Sequence, residues 1–256
     1  MLVGGLGGGV ISSFALALIA AVVVVQIAIF SSTIYLHRSL THRAVKLHPV
    51  VALFFRMMVW LTTGIVPKQW VAVHRKHHAF PDEEGDPHSP HLAGFWSVQL
   101  GNVFHYAREA RKPEVVEKYA KDISDDAWDR YLFNHGKTAN LLGLTLLCLG
   151  LGVGWGLLAG VLHAIGYVFI LSPSVNGLCH VFGRKNFDNT ATNLQSVAFL
   201  TAGEGLHNNH HAFQRSPKFS YRPGEFDLAW PVIWVLTKLR LAEPHTTIKE
   251  ALAQPQ

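Results

Sequence analysis

The chain has 256 residues, a formal net charge of +5 and a pI of about 9.3. Hydrophobic residues make up 49% and charged residues only 15%, whereas soluble domains have about a quarter charged. The apolar residues are gathered in long runs, and basic residues flank those runs, which favours contact with anionic lipid head groups over nucleic-acid binding. The composition therefore predicts an integral membrane protein and excludes an ordinary soluble domain.

The first apolar run, residues 10–36, contains no charged side chain and predicts a membrane-spanning helix. At 1.5 Å per residue it would be about 40 Å long, which exceeds the ~30 Å hydrocarbon core, so one end should protrude beside His37. The second run, residues 49–66, contains Arg56. A charge at the bilayer centre is costly, so we predict an interfacial or re-entrant helix there.

The remaining chain alternates between polar and apolar segments. The predicted elements are a polar cap over 79–137 with a charged helix at 106–132, a spanning hairpin at 139–153 and 156–180 that turns at Gly152–Gly156, and a second polar cap over 181–241 that ends in an interfacial helix at 228–241, capped by Asp227. The sequence thus predicts one all-α membrane domain, residues 1–256, with about three transmembrane helices, interfacial helices and a cytosolic histidine-rich cap.

Histidine is the unusual residue, since the chain has sixteen. Four clusters stand apart: His37 and His42 in HRSLTH; His74, His77 and His78 in HRKHH; Asn176 and His180 in NGLCH; and His207, His210 and His211 in HNNHH. Residues three and four apart share one face of a helix, so each HxxHH triplet should present three imidazoles together. Two such triplets beside apolar runs argue against clustering by chance.

Nine histidines are too many for one metal ion. Shared between two ions they give four or five ligands each, and imidazole suits iron, zinc, copper and nickel. His37 and His42 are a special case, because residues five apart lie about 140° apart on a regular helix. They can face one ion only if the helix ends between them; otherwise they serve different ions.

A shared site requires all four clusters on one side of the membrane. Residues 49–66 must then not cross, and residues 139–180 must cross twice. Basic residues gather on the histidine side, which the positive-inside rule makes cytoplasmic. The N-terminus should lie outside.

The sequences HRSLTH, HRKHH and HNNHH resemble the three histidine boxes of the membrane fatty acid desaturases. The flanking segments WVAVHRKHHAFPDEEGDPHS and GEGLHNNHHAF resemble the surroundings of the second and third boxes. The NxxxH pattern of Asn176 and His180 is similar to that of the stearoyl-CoA desaturase branch. The similarity runs from about residue 33 to 241. In length the chain resembles the short bacterial desaturases, which implies a location in a bacterial inner membrane.

The resemblance implies a function and a site. It implies oxygen-dependent desaturation of a saturated fatty acyl chain, with a cis double bond near the ninth carbon. It implies two non-haem irons, with dioxygen as co-substrate. The implied iron ligands are His37, His42, His74, His77, His78, His180, His207, His210 and His211. Asn176 would hold an iron-bound water, and Glu204, Asp86 and His88 would orient ligands by hydrogen bonds.

The resemblance also implies partners. Besides membrane lipid and the acyl substrate, an electron donor is needed. A cytochrome b5-like HPGG motif does not occur in the sequence, so we expect a separate donor: a ferredoxin, a rubredoxin or a cytochrome b5-type protein with a reductase.

Two other functions and the acyl carrier stay open. A di-iron hydroxylase or alkane monooxygenase shares histidine boxes, whereas a divalent-metal transporter would hold its ligands near mid-membrane. Ala72 and Val73 stand where the animal acyl-CoA enzymes have charged residues, which favours phospholipid over CoA as carrier. Lys68, Arg75 and Lys76 are candidates to bind the phosphate of either carrier.

Overall fold

The computed structural model describes residues 8–253, with side chains from residue 13 onward. Helix α1 (Gly8–Ser31) continues directly into a π-helical segment, Ser32–Thr41. The part Ser13–Thr41 is long and apolar enough to cross a membrane. This helix begins before and ends beyond the predicted 10–36, so His37 lies inside it rather than after it.

The second apolar stretch forms two helices at a sharp angle. Helix α2 (Pro49–Thr63) and helix α3 (Pro67–Ala79) are bent by 88°, as in a broken span or a re-entrant loop. Gly64 ends α2 with a φ of 65°, a left-handed conformation that favours glycine. A Cβ here would lie 2.8 Å from the carbonyl oxygen of Gly136, so the bend also depends on close packing against the next apolar helix.

Arg56 of α2 is neutralised by the polar cap. Its guanidinium pairs with Asp126 at 2.8 Å and with Asp129, and it lies 4.1 Å over the ring of Phe133. The sequence argument treated Arg56 as a lone charge. Because two carboxylates compensate it, Arg56 fastens the cap to α2 and by itself no longer indicates how deep α2 lies.

The third apolar stretch is a hairpin. Helix α7 (Gly136–Leu151) has 16 residues, and helix α8 (Val153–Ala164) begins two residues after it ends. The turn is Gly152 alone, not Gly152–Gly156 as predicted. Gly156 lies within α8, where a Cβ would be 2.4 Å from the Cα of Cys148, so the glycine permits close antiparallel packing.

Helix α8 is prolonged toward the histidine clusters. The continuation consists of a second π-helical segment, Ile165–Leu171, then α9 (Ser172–Asn176) and α10 (Leu178–Val181). The whole of Val153–Val181 is the second candidate span. Ala17 and Ala21 of α1 pack against Ala159 of α8, and such small residues let membrane helices approach closely. The chain is thus an all-α membrane protein.

The polar segments are less regular than predicted. They contain α4 (Pro90–Ala93), α5 (Phe95–Ala110), α6 (Pro113–Tyr119), a π-helical turn (Asp129–Phe133), α11 (Gln195–Leu200), α12 (His207–Ala212), α13 (Ala229–Lys238) and α14 (Ile248–Ala253). Strands β1 (Val45–Leu47) and β2 (Ala242–Pro244) pair antiparallel. The predicted helix at 106–132 is wrong because Pro113 cannot continue a helix. Asp227 does accept a hydrogen bond from the Trp230 amide at the start of α13.

A buried ion pair joins the end of the first candidate span to the second polar segment. Arg38 is fully buried, its Nη2 donates to Asp227 Oδ1 over 2.9 Å, and its guanidinium lies 3.8 Å over the ring of Phe219. Asp227 also accepts from the Phe219 amide at 2.7 Å. The pair therefore fixes the first histidine motif against the segment that follows the third.

We expect Asp227→Ala to destabilise the protein strongly, because it leaves the Arg38 charge buried without its counter-ion. Such a loss costs about 3–5 kcal/mol, or roughly 6–20 °C in melting temperature for a chain of this size. Thermal unfolding in detergent measures it. The matched control is Glu243→Ala, which breaks an exposed pair with Lys46 and should hardly matter. Equal small shifts in both variants would contradict the assignment.

Candidate metal centre

All nine histidines singled out in the sequence lie around one centre, in two groups. The five-histidine group contains His37, His42, His74, His78 and His210, and the four-histidine group contains His77, His180, His207 and His211. Within each group the candidate ligand atoms all lie within 4.8 Å of one another. The groups match the expected four or five ligands per ion and assign each histidine to one side, which the spacing alone left open.

The two HxxHH triplets lie on α3 and α12 and are each divided between the groups. In α3, His74 and His78 belong to the five-histidine group and His77 to the other. In α12 the pattern is reversed: His210 belongs to the five-histidine group. The helices meet with His78 Nε2 3.0 Å from His210 Nε2. Each helix thus contributes to both groups.

The π-helical segment explains the spacing of the first motif. A π-helix is closed by hydrogen bonds between residues five apart, and the His42 amide donates to the His37 carbonyl over 3.1 Å. The two rings lie 4.9 Å apart, in the same group. Of the two alternatives derived from a regular helix, the structure fits the first: the helix ends at Thr41, immediately before His42, and the two histidines lie in the same group.

Three carboxylates hold ligand rings from behind. Glu204 lies 2.8 Å from His37 Nδ1, and Asp86 lies 3.0 Å from His77 Nδ1. A carboxylate can only accept, so each Nδ1 carries the proton and each Nε2 directs its lone pair into the centre. These contacts agree with the predicted orienting roles, and Thr33 donates a further hydrogen bond to Glu204.

Asp82 is the carboxylate that the sequence analysis missed. Its Oδ2 lies 2.7 Å from Nδ1 of His180, and Ser89 donates to its Oδ1 over 2.7 Å. Asp82 precedes Asp86 in the same acidic run, DEEGD, and that run was the available signal. Its distance from His180, 98 residues along the chain, concealed the pairing.

His88 and Asn176 have less direct contacts. The His88 amide donates to Asp86 over 3.0 Å, and its ring centroid lies 4.6 Å from that of His77. Its ring therefore packs beside a candidate ligand without bonding to one. Asn176 donates from Nδ2 to Asn102 Oδ1 over 3.1 Å.

The carboxylates are held as anions. Burial raises the pKa of Asp86, but the hydrogen bond and field of His77 outweigh it and lower that pKa to about 2. The same balance lowers the pKa of Asp82 beside His180 and that of Glu204 beside His37.

The imidazoles of α12 are held neutral. Burial, followed by the field of neighbouring histidines, lowers the pKa values of His207, His210 and His211 well below the ordinary value. Neutral imidazoles and ionised carboxylates form the donor set that a cation requires.

The nitrogen positions fit a bound metal better than a hydrogen-bonded cluster. The Nε2 atoms of the five-histidine group form a chain of four contacts of 3.0–3.1 Å, in the order His37, His210, His78, His74 and His42. A neutral imidazole nitrogen carries either a proton or a lone pair, so at most two of the four contacts can be hydrogen bonds. Adjacent ligands at right angles, each about 2.1 Å from an ion, would be about 3.0 Å apart.

Buried nitrogens without partners support the same conclusion. In the described chain, His180 Nε2 is buried with no hydrogen-bond partner, although it lies in the four-histidine group. A metal ion would satisfy it. The residues therefore fit a metal centre.

An apolar cavity of about 320 Å³ ends at this centre. Its wall includes Ile29, Ile65, Val66, Val103 and Leu171, and its inner end includes His37, His74, His88, Asn176 and Glu204. Its volume lies at the lower end of the ~300–1,000 Å³ usual for ligand pockets. The cavity offers an apolar chain a place against the metal centre.

Two sequence arguments about the carrier are corrected here. Ala72 and Val73 are buried, so neither position meets a nucleotide head group. Arg75 is bound to Asp122 at 2.5 Å, and Lys76 to Glu109 at 2.7 Å. These two basic residues hold the cap on α3 and are not free phosphate ligands.

Comparisons with known proteins agree with the site. The family described as "Fatty acid desaturase" matches residues 12–224. The chain is 35% identical over 215 residues to an sn-1 stearoyl-lipid 9-desaturase of Anabaena variabilis, covering 82% of this chain and 76% of the relative. It is 35% identical to an acyl-CoA C20 Delta5-desaturase of Anemone leveillei, covering 84% and 68%. It is 34% identical to an sn-1 stearoyl-lipid 9-desaturase of Synechocystis, covering 82% and 65%.

The family match over residues 12–224 covers both candidate spans and all four histidine clusters, and together with the relatives it confirms the resemblance seen in the motifs. The chain is an oxidoreductase with a metal centre that acts on fatty acyl chains in a lipid setting, and it belongs to the fatty acid desaturase family.

Proposed function

We propose that the protein introduces a cis double bond near the ninth carbon of a saturated, lipid-linked acyl chain, with dioxygen as oxidant. Two hydrogens leave adjacent carbons, two electrons come from a donor and two protons from solvent, and dioxygen becomes two waters. The observation that carries the proposal is the double histidine group at the end of an apolar cavity. The relatives from Anabaena variabilis and Synechocystis, both sn-1 stearoyl-lipid 9-desaturases, support the position and the carrier.

The nine histidines would hold two iron ions, one in each group. Iron so bound supplies an oxidant strong enough for an unactivated methylene group, chemistry that side chains lack. Glu204, Asp82 and Asp86 fix ring orientation and raise the basicity of the ligands they contact. Asn176 lines the inner end of the cavity, and the contact of its amide group with Asn102 leaves its carbonyl oxygen to hold a metal-bound water.

The cavity wall would hold the acyl chain. Binding a flexible chain in one bent conformation brings a single C–C bond to the histidines and keeps its neighbours away. Trp70 lines the cavity and stacks on His74 with centroids 4.7 Å apart. Trp70 thereby holds the His74 ring in place and also forms part of the cavity wall.

Electrons would come from a separate ferredoxin, rubredoxin or cytochrome b5-type protein with its reductase. His211 lines a surface pocket together with Arg215 and His245. Arg184, Lys185 and Arg222, in the segments around the third histidine motif, are exposed. Exposed basic residues in these segments suit an acidic donor, because opposite charge steers association.

The decisive experiment gives the reconstituted protein labelled stearoyl phospholipid and labelled stearoyl-CoA in separate assays, with each donor class in turn. We expect oxygen-dependent formation of a 9-unsaturated chain in the phospholipid. A hydroxylated product would contradict desaturation. Rapid turnover of acyl-CoA alone would contradict the proposed phospholipid carrier, but the proposed desaturation reaction would stand.

We also propose that the metal centre faces the cytoplasm of a bacterial inner membrane. His42 and His78 have ring centroids only 4.6 Å apart, which supports the view that the intervening α2 and α3 begin and end on one side. Basic residues around the histidine motifs support the cytoplasmic side.

This topology predicts equal access at two exposed positions, Lys46 and Ala79. Single cysteines there should both react with a membrane-impermeant thiol reagent only from the cytoplasmic face. A cytoplasm-active reporter fused after Lys137 should be active. Labelling of the two positions from opposite faces would refute both the topology and the shared site.

A further inference from the structure

Helix α5 carries an exposed apolar stripe inside a segment whose composition is polar. Trp96, Leu100 and Phe104 are 69%, 58% and 71% exposed. They are spaced by four residues and so share one face of the helix. Three large exposed apolar side chains in a row are unusual on a water-facing helix.

The same helix has a separate polar stripe. Ser97 and Arg108 are exposed, and both contact His105: Ser97 Oγ lies 2.9 Å from its Nε2, and Arg108 Nη2 lies 3.4 Å from its Nδ1. At 100° per residue this stripe adjoins the apolar one and lies opposite the cavity side. The helix therefore has an inward face, an apolar outer face and a polar outer face in sequence around its axis.

The apolar stripe is continuous with the surface of a candidate span. Helix α5 packs against α9 and the π-helical segment Ile165–Leu171, both within Val153–Val181. Beside its first turn, Phe95 contacts Phe182 at a ring-centroid distance of 5.6 Å. Phe169 and Ile170 on the span are themselves 41% and 51% exposed. Lipid that surrounds the span would therefore also contact the apolar stripe of α5.

The opposite end of α5 is tied to charged groups. Glu109 accepts from Lys76 at 2.7 Å and from Lys112 at 2.6 Å. The helix thus passes from apolar surroundings at Trp96 to an ion-paired end. A tryptophan on the apolar side and an arginine on the polar side are typical of helices at the membrane–water boundary.

We propose that α5 is an interfacial helix that lies on the bilayer, with Trp96, Leu100 and Phe104 among the acyl chains. The inner face of the same helix, at Asn102, Val103 and Tyr106, lines the cavity. One wall of the cavity is then embedded in lipid, and a phospholipid acyl chain reaches the metal centre from the bilayer without entering water. This second statement rests on the proposed function, whereas the location of α5 does not.

Spin labels test the location directly. Single cysteines replace Trp96, Leu100 or Phe104 on the apolar stripe, and Ser97 or Arg108 on the polar stripe, in a Cys148→Ala chain. Cys179 is fully buried and should not react. In vesicles of phosphatidylethanolamine and phosphatidylglycerol, labels on the apolar stripe should be more accessible to oxygen than to a water-soluble nickel chelate. The two control positions should show the reverse.

The outcomes distinguish whether lipid, water or a second copy of the chain covers the apolar stripe of α5. Equal access of the nickel chelate to all five labels would overturn the proposal, since α5 would then lie in water. Spin–spin broadening that disappears on dilution with unlabelled protein would overturn it in favour of a second copy of the chain. These readouts do not depend on turnover, so failure of desaturation with an intact accessibility pattern would refute the proposed function alone.

Discussion

Replacing His210 by alanine is expected to abolish desaturation and to remove the metal of the five-histidine group. Its Nε2 lies 3.0 Å from Nε2 of both His37 and His78, so it links the first motif to the second. No carboxylate lies among the atoms of this group to replace it in the described chain. His77→Ala should act in the same way on the four-histidine group.

Elemental analysis of the purified variants measures this effect without an activity assay. We expect two iron ions per wild-type chain and no more than one in His210→Ala. The matched control is His135→Ala, because His135 is exposed and outside both groups; it should keep its iron and its activity. Full iron content and full activity in His210→Ala would refute the assignment of ligands.

Replacing Asp82 by asparagine is expected to lower metal affinity and turnover by about 10–100-fold, as is usual for residues that orient ligands. The amide oxygen can still accept from His180 Nδ1, so the change removes the negative charge while keeping the shape. Asp82 has a φ of 61°, which asparagine tolerates well. The loss should therefore arise from the ligand and not from the backbone.

Iron titration of the metal-free protein and turnover with saturating donor measure the two effects. Asp125→Asn is the control, since Asp125 lies in the same polar cap but is exposed. Asp86→Asn should resemble Asp82→Asn, because both carboxylates contact histidines of the same group. Asp82→Asn with the affinity and turnover of the control would show that the His180 contact is structural only.

The sequence was sufficient to single out the nine histidines that the structure brings together, because their gathering in four short motifs is a local property. The sequence was insufficient to assign each histidine to the five-histidine or the four-histidine group, since that assignment depends on how α3 and α12 face each other. The Asp82–His180 contact was missed for the same reason. The sequence shows which acidic residues lie near a motif, but not which residues they contact across the fold.

The errors in the fold were of two kinds. The helix predicted at 106–132 came from charge alternation, and Pro113 should have outweighed it. Arg56 was a different case, because its partners Asp126 and Asp129 come from a distant part of the chain. Hydropathy records a charge but not its compensation, so the depth of α2 could not be inferred from Arg56.

The π-helical segment changes how the first motif should be compared between proteins. A π-helix contains about one extra residue in the turn between two stacked side chains, so HxxxxH there is geometrically equivalent to HxxxH on an α-helix. Deleting Ser39 or Leu40 while restoring the α-helical pitch would keep His37 and His42 one turn apart. The length of this motif thus records helical pitch and not ligand number. A pattern search with a fixed four-residue gap would overlook chains that form the same metal site with a gap of three.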